Sequence, residues 1–285
     1  MQEKPGYAKA MLGAGLVGGV SGVVGAALVV LFSFTPLYEQ GLSVFMALAV
    51  LGVLGAVLFF FNIYPKIETF GGIGAKLPFT GLCSAFADKA YEVGKATGSG
   101  AKGARAVLID LFLKVLLFGT ALSCIVGAVV FSTGFGMEFT APYAPGGVIV
   151  ESLGPPHGTA DGPSMGVPVG IDWLILLWAF LAAGFVCALA QLILMLSGLH
   201  FTKLVVILFF LSAIITPFGV MYFAGSFAGG GLQILVFGAG EAVTSTFAGL
   251  LNGNFAPFVL VLGLFAFLYI MGVGTGLLKL ALEKP

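Results

Sequence analysis

Six stretches of this chain, roughly 10–33, 42–64, 106–131, 172–198, 203–223 and 256–278, run on with almost no charge. Each is long enough for a helix to cross the hydrocarbon core of a bilayer, which takes about 20 residues. The twelve cations of the chain are segregated between these stretches. Lys4 and Lys9 precede the first, and Lys66, Lys76, Lys89, Lys95, Lys102 and Arg105 separate the second from the third, with Lys114 just inside it. Lys203 lies between the fourth and fifth, and Lys279 and Lys284 close the last. With six crossings every cation falls on one side, and five or seven would break the segregation. The excess of Lys and Arg in cytoplasmic loops makes that side, and both termini, cytoplasmic.

Composition agrees. Charged residues make up 8% of the chain and hydrophobic ones 59%, against roughly a quarter charged in a water-soluble domain. There is too little charge to cover a surface facing water, which excludes a cytosolic enzyme and a disordered chain. The formal net charge of zero argues against nucleic-acid binding. The apolar run from Met11 to Phe32 is too long for the core of a cleaved signal peptide and is expected to stay as the first span. Cys83, Cys124 and Cys187 are far apart, lack metal-ligand spacing and read as small buried hydrophobes. No metal site or cofactor is expected.

Pro36, Tyr38-Glu39-Gln40 and Gly41 mark the first turn, and Asn62-Ile63-Tyr64-Pro65 ends the second span. The segment from about 132 to 171 has no Lys or Arg, many prolines and glycines, and the acids Glu138, Glu151 and Asp161, with Asp172 just after it. It reads as an extracytoplasmic linker, and His157 as a solvated side chain.

The chain repeats itself. FGGIGAKLPFTGLCSAF at 70–86 lies over FAGGGLQILVFGAGEAV at 227–243, with Phe70/Phe227, Gly72/Gly229, Gly74/Gly231, Gly81/Gly238 and Ala85/Ala242 in common. Both segments stand between the second and third span of their half. Three spans per half put the halves in opposite orientations, the inverted repeat found in many transporters. The predicted architecture is therefore an all-α polytopic membrane protein of six spans, built as two inverted three-helix repeats, 1–131 and 172–285, joined by 132–171. Each repeat carries a Gly-rich broken or re-entrant segment: Leu77–Ala87 is too short to span, and 225–240 interrupts a charge-free run. Irregular backbone at membrane depth is tolerated where it lines a cavity or is buried in protein. The breaks thus point to a solute pathway, or to close helix packing through small residues.

A helix starting after each break would aim its N–H groups and positive dipole end at a small anion. Lys76 sits in the first break and Gln233 at the matching place in the second. Glu241 is the one acid in the apolar territory of the last three spans, expensive there unless it works as a cation ligand or proton acceptor or sits at a helix start near the surface. Asp110 and Lys114, four apart, form an internal ion pair with a snorkelling lysine. Gln191 supplies a polar contact in mid-span and Pro217 a kink. The candidate pathway residues are Gly72, Gly74, Lys76, Pro78, Thr80, Gly81, Ser84, Gln191, Gly229, Gly231, Gln233, Gly238 and Glu241. No nucleophile–base pair or phosphate loop is present, so enzymatic activity is not expected.

The stretch Phe70-Gly71-Gly72-Ile73-Gly74-Ala75-Lys76-Leu77-Pro78-Phe79-Thr80-Gly81 resembles the GGAGA–VPITGF–N signature of the SpoVA membrane proteins, SpoVAC/SpoVAE type. Trp178-Ala179-Phe180-Leu181, Gly184, Cys187 and Gln191 are similar to the SpoVAE opening WAFLVGG–C–GQ. Family members are about half this length, so the chain resembles a fused tandem pair. It departs from the signature at Ser84 and Glu241, where an asparagine is usual, and at Leu235 and Phe237, where proline and threonine are lost. The resemblance implies a channel subunit of the spore inner membrane. Such a subunit passes dipicolinic acid, a small planar carboxylate, alone or as its calcium chelate, during sporulation and germination, with other SpoVA-type subunits or further copies of itself as partners. The residues alone leave two other readings open: a general small-solute or ion pathway using Glu241 and Gln191, and a non-conducting scaffold subunit that packs its partners through the Gly-rich faces.

Overall fold

The computed structural model describes residues 6–35, 43–140, 158–159, 162–163 and 173–283. The first turn at 36–41 and most of the linker, with Glu151, His157, Asp161 and Asp172, lie outside the described residues, as do Lys4 and Lys284. The described residues are helical apart from a two-residue strand pair, Gly158–Thr159 with Gly162–Pro163, and one isolated bridge.

Five helical stretches are long and apolar enough to cross a membrane: Tyr7–Phe32, Gly100–Thr133, Trp173–Ser197, Phe201–Phe218 and Ala256–Leu282. A bent pair, in which the helix ending at Phe60 meets Tyr64–Gly71 at 101°, brings the count to six where the pair is taken as one span. The chain is a multi-pass membrane protein. In order, the helices are α1 (Tyr7–Ser33), α2 (Ser43–Phe60), α3 (Tyr64–Gly71), α4 (Ile73–Lys76) and α5 (Phe79–Thr97), then α6 (Gly100–Val107), α7 (Phe118–Thr133) and α8 (Met137–Thr140). After the linker come α9 (Trp173–Ser197), α10 (Phe201–Ile215), α11 (Val220–Ala228), α12 (Val236–Leu251) and α13 (Ala256–Leu282).

Local chemistry explains three departures from the expected boundaries. Pro65 does not merely stop the second span: it occupies the first turn of α3, where its missing N–H costs nothing. The bend before it turns on Asn62, at φ 58°, a left-handed conformation that asparagine tolerates better than most residues. Pro217 does not kink a continuous fifth span. It lies in a 3-10 turn, Thr216–Phe218, closed by Gly219 at φ 75°, and a new helix follows. The third span is continuous from Gly100 to Thr133 but passes through a π-helical segment, Leu108–Leu117. There Asp110 receives Lys114 at 2.7 Å and Lys89 at 3.4 Å.

Between lipid-bathed helices the association comes from packing rather than from water release, so small residues mark the interfaces. The antiparallel pair α1 and α9 meets along Gly15, Gly18, Gly19 and Gly22 on one side and Ala179, Ala183, Gly184 and Cys187 on the other. Gly272 and Gly276 bring α13 against α5, Gly103 brings α6 against it, and Gly127 brings α7 against α12. The core between these contacts holds fully buried Phe79, Phe86, Phe209 and Leu77.

Candidate functional site

Both Gly-rich segments are breaks between a short helix and a buried one. In the first, α4 ends at Lys76 and α5 begins at Phe79; in the second, α11 and a 3-10 turn at Gly229–Gly231 give way to α12 at Val236. The breaks meet. Pro78 and Leu235 form an antiparallel bridge, in which the Phe79 N–H donates to the Ile234 carbonyl at 3.0 Å and the Val236 N–H donates to the Leu77 carbonyl at 2.9 Å. The bonds run through the neighbours of Pro78, so its missing N–H leaves no gap in the pair.

From this bridge α5 and α12 leave toward opposite ends of α13, whose 27 residues span about 40 Å. Near the last turn of α5, Tyr91 donates its hydroxyl proton to Glu283, just past the C-terminus of α13. At its own end, α12 passes through Asn252–Phe255 straight into the start of α13. Two helix N-termini, with their positive dipole ends, therefore converge on one point in the interior.

The helices α1 and α9 flank both breaks. Gly74 lies against the Ala14 carbonyl of α1, and Ile234 fills the space over Gly25. Gly231 packs on Ala179 of α9, whose Gln191 Oε1 accepts the Ile73 N–H at 3.0 Å, a bond across 118 residues. Gly72, at φ 51°, has no room for a Cβ because this amide is there. Gly81 and Gly238 fill matching roles: a Cβ on Gly81 would strike Ala75 and Lys76, and one on Gly238 would strike Gln233.

The side chains at matching positions differ. Thr80 joins the Tyr64 hydroxyl at 3.0 Å, and Tyr64 donates to the Ala75 carbonyl at 2.6 Å, tying α3 to the first break. Lys76, 39% exposed, pairs with Glu68 at 3.5 Å and lies 5.7 Å from the Phe201 ring centre. Ser84 is buried. In the second half Gln233 and Glu241 are 5% and 3% exposed and line one small cavity with residues of α2, α5 and α13. That cavity has about 30 Å³ of room, space for one or two waters, and is closed to a planar dicarboxylate. Of the residues expected to line a pathway, the fold gathers the two breaks into one centre. Gln191 is committed to a backbone bond, and Lys76 stands at the edge.

One polar cluster had no motif to announce it. Lys279, in the last turn of α13 and 6% exposed, donates to Asn62 Oδ1 at 2.6 Å and sits 4.5 Å and 5.0 Å from the Phe59 and Tyr91 ring centres. Lys95 donates to the Tyr91 hydroxyl at 2.8 Å and pairs with Glu283 at 3.8 Å. The only hint in the sequence is a lysine placed one turn inside an apolar helix end, which elsewhere means snorkelling.

Residues 10–142 match the family model of the SpoVAC/SpoVAEB sporulation membrane proteins. The matched region runs from the first turn of α1 past α8, and so contains the whole of the first break. No curated protein and no solved structure matches the chain.

Proposed function

We propose, from the match of the first half to SpoVAC/SpoVAEB sporulation membrane proteins, that the chain is a SpoVA-type channel or transport subunit passing a small carboxylate, dipicolinate or its calcium chelate. In this reading it is two such units in tandem, inverted about the bridge, with both termini cytoplasmic, in the spore inner membrane. The observation that carries the reading is the Pro78–Leu235 bridge. It holds two discontinuous helices with their N-termini converging, the arrangement by which transporters favour anionic groups at mid-membrane. The recurrence of helix, helix, short helix, break and two further helices on either side of the linker supports the inversion. So do the opposite exits of α5 and α12.

Lys76 adds a cation at the rim of the first break. The α1–α9 pair covers the two breaks, and α2 and α13 close in beside Phe79, so passage requires the two breaks to part, with Gln191 and Tyr64 holding the first one closed. Release of dipicolinate from liposomes containing the purified chain tests this. Saturable or gated release, weakened by Lys76→Glu, is the expected result. Liposomes that retain the solute as empty controls do would overturn conduction by this chain alone.

A second reading has one observation in its favour. The glycines of the breaks are filled by neighbouring backbone, as in an interface built for packing. A scaffold subunit would lose complex assembly, and not flux alone, when Gly72 or Gly74 is replaced by a bulky residue.

A further inference from the structure

Three buried polar atoms lie around one cavity without a hydrogen-bond partner: Glu241 Oε2, Gln233 Nε2 and Gln233 Oε1. Buried polar groups in native proteins are almost always paired, and each orphan needs a cause. A carboxylate at this depth also needs its charge compensated. No lysine or arginine lines the cavity. Facing it are Val44, Phe45 and Leu48 of α2, Phe79 of α5, and Val261 and Leu264 of α13. From α10 and α7, the neighbouring stretches of α12 meet Ser212 and Ser123, neither of them ionisable. Two side-chain oxygens are too few for a metal cation, which takes roughly six oxygen ligands. Among the described residues no group of three His, Cys, Asp or Glu comes together.

One proton on the carboxyl, with the Glu241 and Gln233 side chains turned to face each other, pairs all three atoms. We propose that Glu241 and Gln233 form a proton-binding couple beside the second break. Glu241 is the neutral acid, its O–H donates to Gln233 Oε1, and its other oxygen accepts from Gln233 Nε2–H. Binding adds one proton from water to the carboxylate oxygen, and release returns it there. No other bond changes. The couple belongs to the second half alone, because the matching positions of the first hold Lys76 and Ser84. Loss of the proton would leave a negative charge about one turn inside α12, next to the bridge. Its effect on an anion passing there rests on the conduction reading above, whereas the proton site does not.

The test is infrared spectroscopy of the full chain in lipid with isotope-labelled glutamate, at neutral pH. The expected result is a protonated carboxyl band that is absent in Glu241→Gln and shifted in frequency in Gln233→Leu. Glu241→Gln keeps the shape of the side chain and its hydrogen bonding to Gln233, and its melting temperature serves as the check on folding. A wild-type spectrum with only ionised glutamate, or a band that survives in Glu241→Gln, overturns the proton site. So does a sodium-dependent rise in melting temperature that Glu241→Gln abolishes, which would assign a cation instead. In dipicolinate-loaded liposomes, alkaline pH should slow release by the wild type and leave Glu241→Gln unaffected; equal slowing of both would overturn the link to passage while the band still decides the site.

Discussion

Pro78 and Leu235, 157 residues apart, face each other as a two-bond antiparallel pair at the point where two buried helices begin. Such a pair inside a helical membrane protein has a plain cause. Each break leaves backbone groups that lipid cannot satisfy, and the other break is the partner that satisfies them. The halves are thereby locked through main-chain atoms, whatever side chains they carry.

Gly81 and Gly238 should respond alike to substitution. A Cβ on Gly81 strikes Ala75 and Lys76, and one on Gly238 strikes Gln233; overpacking of this kind costs about 1–3 kcal/mol or more. Gly81→Val and Gly238→Val should each lower the melting temperature in detergent, whereas Gly263→Ala, with open space around it, should leave it unchanged or raise it. A loss at one position and tolerance at the other would show that the two breaks are not equivalent in packing.

Gln191 should prove structural as much as polar. Gln191→Leu strands the Ile73 N–H, a loss of about 1–3 kcal/mol, while Gln191→Glu keeps an acceptor at the same reach. Thermal unfolding of the two variants checks this, with the leucine variant expected to be the less stable. The same variant should open the first break to protease.

Lys76 should separate stability from passage. Its ion pair with Glu68 is partly exposed and pairs near the surface contribute about 0–1 kcal/mol, so Lys76→Gln should melt close to the wild type. Dipicolinate release should nonetheless fall, because the cation at the rim is gone. A variant with wild-type release would remove Lys76 from the pathway.

Lys279 carries the largest predicted stability effect. Lys279→Met keeps the apolar stem but leaves Asn62 without its charged donor, a bond of a class valued at about 1.5–3 kcal/mol, and removes the cation between the Phe59 and Tyr91 rings, about 2 kcal/mol more where desolvated. Calorimetry of the variant in detergent should show the drop. A melting temperature within a degree or so of the wild type would mean the lysine merely snorkels.

Much of this was legible in the residues. Period-free apolar runs of membrane length identify the spans, because a bilayer demands about 20 apolar residues and little else. The five long helices overlie five of these runs, and the bent pair overlies the remaining one. The two Gly-rich breaks were legible as well, since glycine clusters and Pro78 interrupt runs that otherwise would continue as helix. Less visible was the direction in which side chains at equivalent positions turn. Lys76 and Gln233 occupy matching places in the sequence, yet one is at a rim beside Glu68 and the other is sealed in a cavity with Glu241.

The sequence by itself determined that this chain lives in a membrane and where its backbone breaks, because those depend on local runs of apolar residues and on glycine and proline. Only the tertiary structure decided that the two breaks satisfy each other and that Gln191 reaches across 118 residues to the first of them. It also decided that Lys279 finds Asn62 across the bundle rather than water. Those pairings join residues far apart in the chain, and what selects them is the demand that every buried polar group find a partner, which no local pattern records.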